Sequence, residues 1–249
     1  MKRLLVLVPL ACLSLCACES ETWQKANYLQ TAASNLYKSG FEKVVIDSST
    51  KVLEIEDHAE AYYMRGAARD DLGQYSLAKQ DLLKAIDMNN GIAKYHYVLG
   101  NAYVDTNEQE LAIASFTKAI ELSPKHINAI GNRANARRKS GDYQGALDDF
   151  TKAIAIEPNH ANNIRMRGNV KYEIGDYSGA LQDFNKAVAI DPKIADNTSW
   201  STGVHADIYY DRAYAFSKLG EPESACSDFE KASSLGNTSA LEVFNDFCK

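Results

Sequence analysis

The sequence lacks the motifs that mark common metal-dependent and nucleotide-binding enzymes. It has no His-Glu-x-x-His, no Cys-x-x-Cys pair and no Gly-rich phosphate loop. Lysine and arginine form no cluster and the formal net charge is −6 at pH 7, so no face is predicted to attract nucleic acid. These absences predict a protein that uses no cofactor, binds no metal and has no nucleic-acid partner.

Two patterns could suggest chemistry, and both have a simpler interpretation. His126 and His160 stand 34 residues apart, which is explained if they occupy the same turn of a repeat. The pairs Asp70–Asp71 and Asp148–Asp149 join neighbours that point about 100 degrees apart on a helix, so neither forms an acid–base pair. A charge run on a helix is typical of a solvated face. We therefore predict no catalytic residue and no enzymatic activity.

The first residues differ from the rest of the chain in composition. Two basic residues precede an apolar run from Leu4 to Leu15. An apolar run of about thirteen residues is too short for a permanent membrane helix, which needs roughly twenty. The pattern predicts a signal peptide over residues 1–17. With or without a lipid, the mature chain is then expected to leave the cytoplasm.

The end of that run, Leu15-Cys16-Ala17-Cys18, resembles the lipobox of bacterial lipoproteins, in which a small residue precedes an acylated Cys. The resemblance implies lipidation of Cys18, a tether over residues 18–24, and a lipid anchor on the periplasmic face of a membrane. An ordinary secretory signal is the alternative. Glu19 does not match the Asp that enterobacteria use for inner-membrane retention, so the outer membrane of the cell envelope is favoured.

A period of 34 residues organises the remainder of the chain. Three series of small residues recur at that spacing: Gly66, Gly100, Ala134 and Gly168; Ala78, Ala112, Ala146 and Ala180; Ala85, Ala119, Ala153 and Ala187. Glycines such as Gly141 and Gly175 fall between the small positions, where a left-handed residue ends a helix. Each unit is therefore predicted to be two helices of about a dozen residues.

The second helix of each unit carries one apolar face. Leu147, Phe150 and Ile154 show the spacing of a buried helix side. A single hairpin cannot enclose that side, so stability must come from stacking on the next hairpin. Burial of one such Phe contributes about 1.5 to 3 kcal/mol.

These residues are the signature of the tetratricopeptide repeat family, which the chain resembles over most of its length. The matching units are 59–92, 93–126, 127–160, 161–194 and 206–239, and 25–58 resembles a degenerate first unit. The resemblance implies an all-α fold, a right-handed α-solenoid of about six stacked antiparallel helical hairpins. It also implies a groove along the first helices that binds a protein or an extended peptide.

Two segments depart from the period. Residues 195–205, with Trp200 and Gly203, are predicted to be an inserted loop, either near the binding face or merely tolerated on the surface. The C-terminal end, with a capping helix over 240–249, is similar to Sel1-like relatives of the family, several of which are secreted and cross-linked. That resemblance implies a disulfide between Cys226 and Cys248, with two buried free thiols as the alternative.

Asparagine recurs on the predicted inner face. Its amide both donates and accepts, and so can bind a peptide backbone whatever the side chains are, although asparagine is also simply a common polar residue there. Tyrosine and arginine, which often carry interface energy, lie around it, although several tyrosines could only pack between helices. The predicted groove residues are Asn101, Asn128, Asn132, Asn135, Asn162, Arg165, Asn169, Tyr172, Tyr210 and Tyr214. Chaperone-binding relatives clamp a carboxylate with basic residues, but here Asp211 stands where a basic residue is expected.

The sequence thus favours a non-catalytic interaction scaffold in cell-envelope assembly, whose partner is another envelope protein or a peptide. Two alternatives remain open. One is a Sel1-like secreted enzyme acting on cell-wall-type substrates. The other is a structural envelope protein that associates with itself as a homo-oligomer.

Overall fold

The computed structural model describes residues 40–190 and 201–248, and within them it contains twelve α-helices and no strand. The helices are α1 (Glu42–Leu53), α2 (Ala59–Asp71), α3 (Tyr75–Met88), α4 (Ala93–Asp105), α5 (Gln109–Leu122), α6 (Ile127–Lys139), α7 (Tyr143–Ile156), α8 (Ala161–Glu173), α9 (Tyr177–Ala189), α10 (Ser201–Lys218), α11 (Pro222–Ser234) and α12 (Thr238–Phe247). The prediction of an all-α fold of helical hairpins is confirmed. The signal peptide, Cys18, the tether and Trp200 lie outside the described residues.

These helices belong to two compact units: α1 to α4 form unit 1, and α5 to α12 form unit 2. In unit 1, α2 and α3 make a hairpin that packs between α1 and α4. Leu82 of α3 lies against Leu99 and Ala102 of α4. A Cβ atom on Gly66 would lie 2.9 Å from the Cγ atom of Leu82, so the small residue allows α2 and α3 to approach.

Unit 2 stacks hairpins along a shared apolar seam. Phe150 of α7 packs against Ala134 in its own hairpin and Val170 in the next. Phe184 of α9 packs likewise against Ala215 of the following hairpin. A Cβ atom on Gly168 would lie 2.6 Å from the Phe184 ring, which cannot bend away, so glycine is required there. Within unit 2 the recurring small and aromatic positions therefore have the packing role that the period predicts.

Side chains cap several helices of unit 2. Asp142 accepts a hydrogen bond from the Gly145 N–H at 2.9 Å. At the starts of α6 and α8, the Nδ1 atoms of His126 and His160 each accept from a backbone N–H at 3.2 Å. The spacing of these two histidines therefore follows from their common N-cap position.

The start of α10 differs from the sequence prediction. Residues 201–205 were predicted to belong to a loop, but they form the first turn and more of an 18-residue helix. His205 is buried, and its Nε2 atom lies 3.3 Å from the carbonyl oxygen of Ile190. This packing against the end of the preceding hairpin is a tertiary contact, so the local sequence pattern did not indicate it.

At the C-terminal end, α12 packs on α11. A disulfide joins Cys226 of α11 to Cys248, with a Cα–Cα distance of 5.6 Å. Cys248 also packs on the apolar cluster around Phe229. The covalent link closes a loop with a sequence separation of 22 residues, and a loop of that size restricts the unfolded chain by about 3 kcal/mol.

Candidate binding site in unit 2

Helices α8, α9 and α10 form an open cavity of about 440 Å³. Its lining combines aromatic rings, two carboxyl groups and one amide: Asn169, Tyr172, Glu173, Phe184, Tyr210, Asp211 and Tyr214. Four of the predicted groove residues are thus brought together, although α8 and α10 are separated by a whole helix in the sequence. The cavity is large enough for a side chain or a small ligand, since binding pockets span about 300–1,000 Å³.

The cavity tyrosines line the cavity and also pack against neighbouring aromatic rings. The rings of Tyr210 and Tyr214 meet edge to face at 5.1 Å, and their hydroxyl oxygens lie 3.2 Å apart. Both rings also pack on Phe229 of α11. The hydrogen bond to Tyr214, together with burial, raises the pKa of Tyr210 to about 12, and burial raises that of Tyr172. These hydroxyl groups therefore remain neutral hydrogen-bonding groups at pH 7.

Asp211 is a half-buried charge of the cavity. Its carboxylate accepts a hydrogen bond from the Arg165 guanidinium at 2.9 Å. Burial raises the pKa of Asp211, while Arg165 and a hydrogen bond from Asn169 act in the opposite direction. Because burial is the largest of these effects, the single arginine compensates the carboxylate only in part.

Arg165 has internal partners that the sequence prediction did not assign to it. Besides Asp211, it lies 3.6 Å from a carboxylate oxygen of Asp207 and donates to the Asn162 side chain at 3.3 Å. Its side chain is only 16% exposed. Arg165 therefore contacts Asp211 from outside the cavity, and neither Arg165 nor Asn162 lines the cavity.

The other predicted asparagines do not line the cavity. Asn128 is exposed, and Asn132 is half-buried on α6. Asn101 lies on α4 in unit 1, where it is half-buried. Asn135 is different, because its side-chain oxygen is buried and has no hydrogen-bond partner within residues 40–190 and 201–248. A buried acceptor without a partner costs free energy.

Sequence reasoning missed a repeated ion pair. An arginine of a first helix binds, through two guanidinium nitrogens, an aspartate 16 residues later on the second helix. The pairs are Arg65–Asp81, Arg133–Asp149, Arg167–Asp183 and Arg212–Asp228, with distances of 2.6 to 2.9 Å. We call each pair an arginine clamp.

Each clamp also has further polar partners. The Nη1 atom of Arg133 donates to the hydroxyl of Thr117 on the preceding helix at 3.0 Å, and Arg137 adds a second cation to Asp149 at 2.8 Å. The prediction of a solvated face is therefore wrong for Asp149, which is buried. The spacing of 16 was present in the sequence and could have revealed the clamps. The unit 93–126 breaks the pattern, with Leu99 and Ser115 in the two places.

The described residues contain no group of His, Cys, Asp and Glu side chains arranged to hold a metal ion. Among the twelve helices, none combines the length and the apolar character that crossing a bilayer would require.

Comparisons with known proteins identify the family. Tetratricopeptide repeat models match residues 127–160, and also 59–91, 93–126, 166–194 and 206–235. Together these matches cover more than half of the sequence. The chain belongs to the tetratricopeptide repeat family. No curated protein matches the sequence significantly.

Several solved structures share the fold. PilF of Pseudomonas aeruginosa is 14% identical with a TM-score of 0.71, and the match covers 91% of this chain and 99% of that one. A tetratricopeptide repeat protein from Parabacteroides merdae is 20% identical with a TM-score of 0.63, covering 90% and 84%. MamA from Desulfovibrio magneticus is 16% identical with a TM-score of 0.63, covering 70% and 98%. At these identities the similarity establishes the fold alone.

Proposed function

We propose that this protein is a non-catalytic scaffold that binds a segment of a partner protein at the cavity between α8, α9 and α10. The observation that carries the proposal is the convergence of Asn169, Tyr172, Tyr210 and Tyr214 on one cavity from helices distant in sequence. Tyrosine supplies large contact area with little loss of side-chain entropy, and asparagine supplies backbone-directed hydrogen bonds. Such a lining suits a protein segment.

The carboxyl groups of the cavity support binding more than catalysis. Glu173 pairs with Arg138, and Asp211 pairs with Arg165. A general base must be placed to take a proton from a substrate, whereas both of these groups already accept hydrogen bonds from arginine. The proposal therefore assigns the cavity no reaction.

The first experiment places a photo-crosslinking amino acid at Tyr172 in intact cells, with the same residue at exposed Lys152 as the control. An adduct from position 172 alone is expected. The variant Asn169→Ala, which removes the amide of the cavity lining, should reduce that adduct about tenfold, as loss of a central interface residue does. Its helical signal in circular dichroism should stay unchanged.

Equal adducts from positions 172 and 152, or an adduct that Asn169→Ala leaves unchanged, would contradict binding at this cavity. An adduct formed with a second copy of the same chain would instead support the self-associating structural protein. Mass spectrometry of the adduct separates these outcomes.

The proposal includes a lipid anchor on Cys18, on the periplasmic side of a cell-envelope membrane, with a role in envelope assembly. Its support is the lipobox-like Leu15-Cys16-Ala17-Cys18 and the apolar run before it. Labelling with radioactive palmitate should mark the native chain and the control Cys16→Ser, but not Cys18→Ser. Label retained on Cys18→Ser would show that this anchor is wrong.

A further inference from the structure

We propose that the cavity between α8, α9 and α10 selects a positively charged side chain, arginine or lysine, from the bound segment. This inference rests on the proposed function and adds the chemistry of the ligand. It departs from the carboxylate ligand that chaperone-binding relatives take.

The cavity lining carries negative charge and no positive charge. Glu173 and Asp211 supply two carboxyl groups, and none of the seven lining residues is Lys, Arg or His. Three tyrosine rings form the rest of the wall with Phe184 and Asn169. The faces of aromatic rings attract cations, and the attraction grows when water is excluded. The aromatic rings and the carboxyl groups therefore both favour a positively charged ligand.

The carboxyl groups around the lining are not fully compensated by the nearby arginines. The two nearby arginines are already engaged, Arg138 with Glu173 and Arg165 with Asp211, Asp207 and Asn162. Even so, burial outweighs Arg165 in its effect on Asp211, whose pKa is raised. A half-buried carboxylate with too little compensation is stabilised by a further cation and destabilised by an anion.

In the arginine clamps, by contrast, arginines fully compensate the charge of the buried aspartate. Asp149 accepts hydrogen bonds from Arg133 and Arg137, three in all, between 2.6 and 2.8 Å. Asp211 has one such bond from an arginine and lines the cavity. A guest guanidinium or ammonium group would take the place of the second cation.

The test uses the purified full-length chain in detergent and three peptides, acetyl-Gly-Ser-X-Ser-Gly-amide, where X is arginine, citrulline or glutamate. Citrulline has nearly the shape of arginine but no charge, because a carbonyl oxygen replaces one of the terminal nitrogens. Titration followed by tyrosine fluorescence should show the arginine peptide binding about fivefold or more tighter than the citrulline peptide, and the glutamate peptide weakest.

The double variant Glu173→Gln, Asp211→Asn should remove the preference for arginine over citrulline. The matched control Asp148→Asn, which removes an exposed carboxylate from α7, should keep it. If the double variant loses its helical signal, the comparison of the three peptides on the native chain still decides.

Equal affinity for arginine and citrulline, tightest binding of glutamate, or no binding of any peptide would overturn the inference. Photo-crosslinking at Tyr172 distinguishes this failure from failure of the proposed function. If adduct formation still depends on Asn169 while the charge preference is absent, only the choice of a basic side chain is wrong.

Discussion

The arginine clamps and the cavity use the same residue types in different ways. In the clamp on α6 and α7, Asp149 is 5% exposed and accepts from two arginines, while Thr117 satisfies Arg133 from the preceding helix. At the cavity, Asp211 is 20% exposed and has one arginine. The first arrangement is closed and ties neighbouring hairpins together. The second is open on one side, so the difference separates a structural ion pair from one that leaves room for a ligand.

A third carboxyl group, in unit 1, extends the comparison. Asp70 has a side-chain oxygen that is buried without a hydrogen-bond partner among the described residues. Burial, then the charges of Asp105 and Asp71, raises its pKa to about 7. Asp149, Asp211 and Asp70 therefore form a series with two, one and no arginine partners, and each member predicts a different response to substitution.

The largest effect is expected for Asp149→Ala. Removal of this carboxylate leaves Arg133, whose side chain is 12% exposed, without a counter-charge. Breaking a buried ion pair from one side costs about 3–5 kcal/mol of the free energy of unfolding, which urea denaturation followed by circular dichroism measures. The exposed neighbour offers a control, because Asp148→Ala should change that free energy by less than about 0.5 kcal/mol. A clamp variant as stable as its control would show that the clamp is not structural.

One repeat of the chain lacks the arginine clamp and shows which uncharged residues can take the place of the pair. The double variant Arg133→Leu, Asp149→Ser copies the residues at positions 99 and 115 of the unit that lacks the pair. Because both charges are removed together, it should recover most of the stability that Asp149→Ala loses. If the double variant were the less stable of the two, the clamp would contribute more than the mere avoidance of an unpaired charge.

A smaller effect, with a defined pH dependence, is expected at Asp70. Its folded-state pKa of about 7 lies above the usual aspartate value of 3.8, so the proton favours the folded state. The stabilisation is complete below about pH 4 and is lost as the pH rises through 7. Asp70→Asn should therefore raise the free energy of unfolding at pH 8 by about 1 kcal/mol, since water screens this partly exposed group. Urea denaturation at pH 5 and pH 8 should show the gain only at the higher pH, and exposed Asp87→Asn should show none.

The smallest effect on stability is expected at Asp211. Asp211→Asn removes a carboxylate whose burial is only partly compensated, and Arg165 keeps Asn162 and Asp207 as neighbours. The two consequences oppose each other, so the free energy of unfolding should change by less than about 1 kcal/mol. A loss as large as that for Asp149→Ala would place Asp211 among the structural ion pairs and contradict its assignment to a ligand site.

The fold was predictable because its determinants are local and repeated. Gly168 and Phe184 lie at recurring positions, and their contact follows from hairpin geometry once the period is known. The first turn of α10 was not predictable in the same way, since burial of His205 against Ile190 stabilises it after an insertion that breaks the period. The arginine clamps were partly predictable, because their 16-residue spacing is visible in the sequence but the burial of their charges is not.

For the candidate site, the residue types were predictable and their grouping was not. The period assigns asparagine and tyrosine to the inner face of the predicted hairpins, but Asn169 lines the cavity while Asn135 does not. Arg165 was expected beside the ligand and is instead bonded to Asp211 from the following hairpin. A period assigns a residue to a helix face, whereas the partner of a charged side chain depends on the neighbouring hairpin.

By itself, the sequence determined the helical hairpins, their family and the apolar seam, because propensity, turn residues and a 34-residue spacing act over short distances and reinforce one another. Only the tertiary structure decided which carboxyl groups are fully compensated, which one faces a cavity, and which tyrosines form its wall. The physical reason is that desolvation and charge pairing depend on what surrounds a group in space, and helices that are far apart along the chain supply those surroundings.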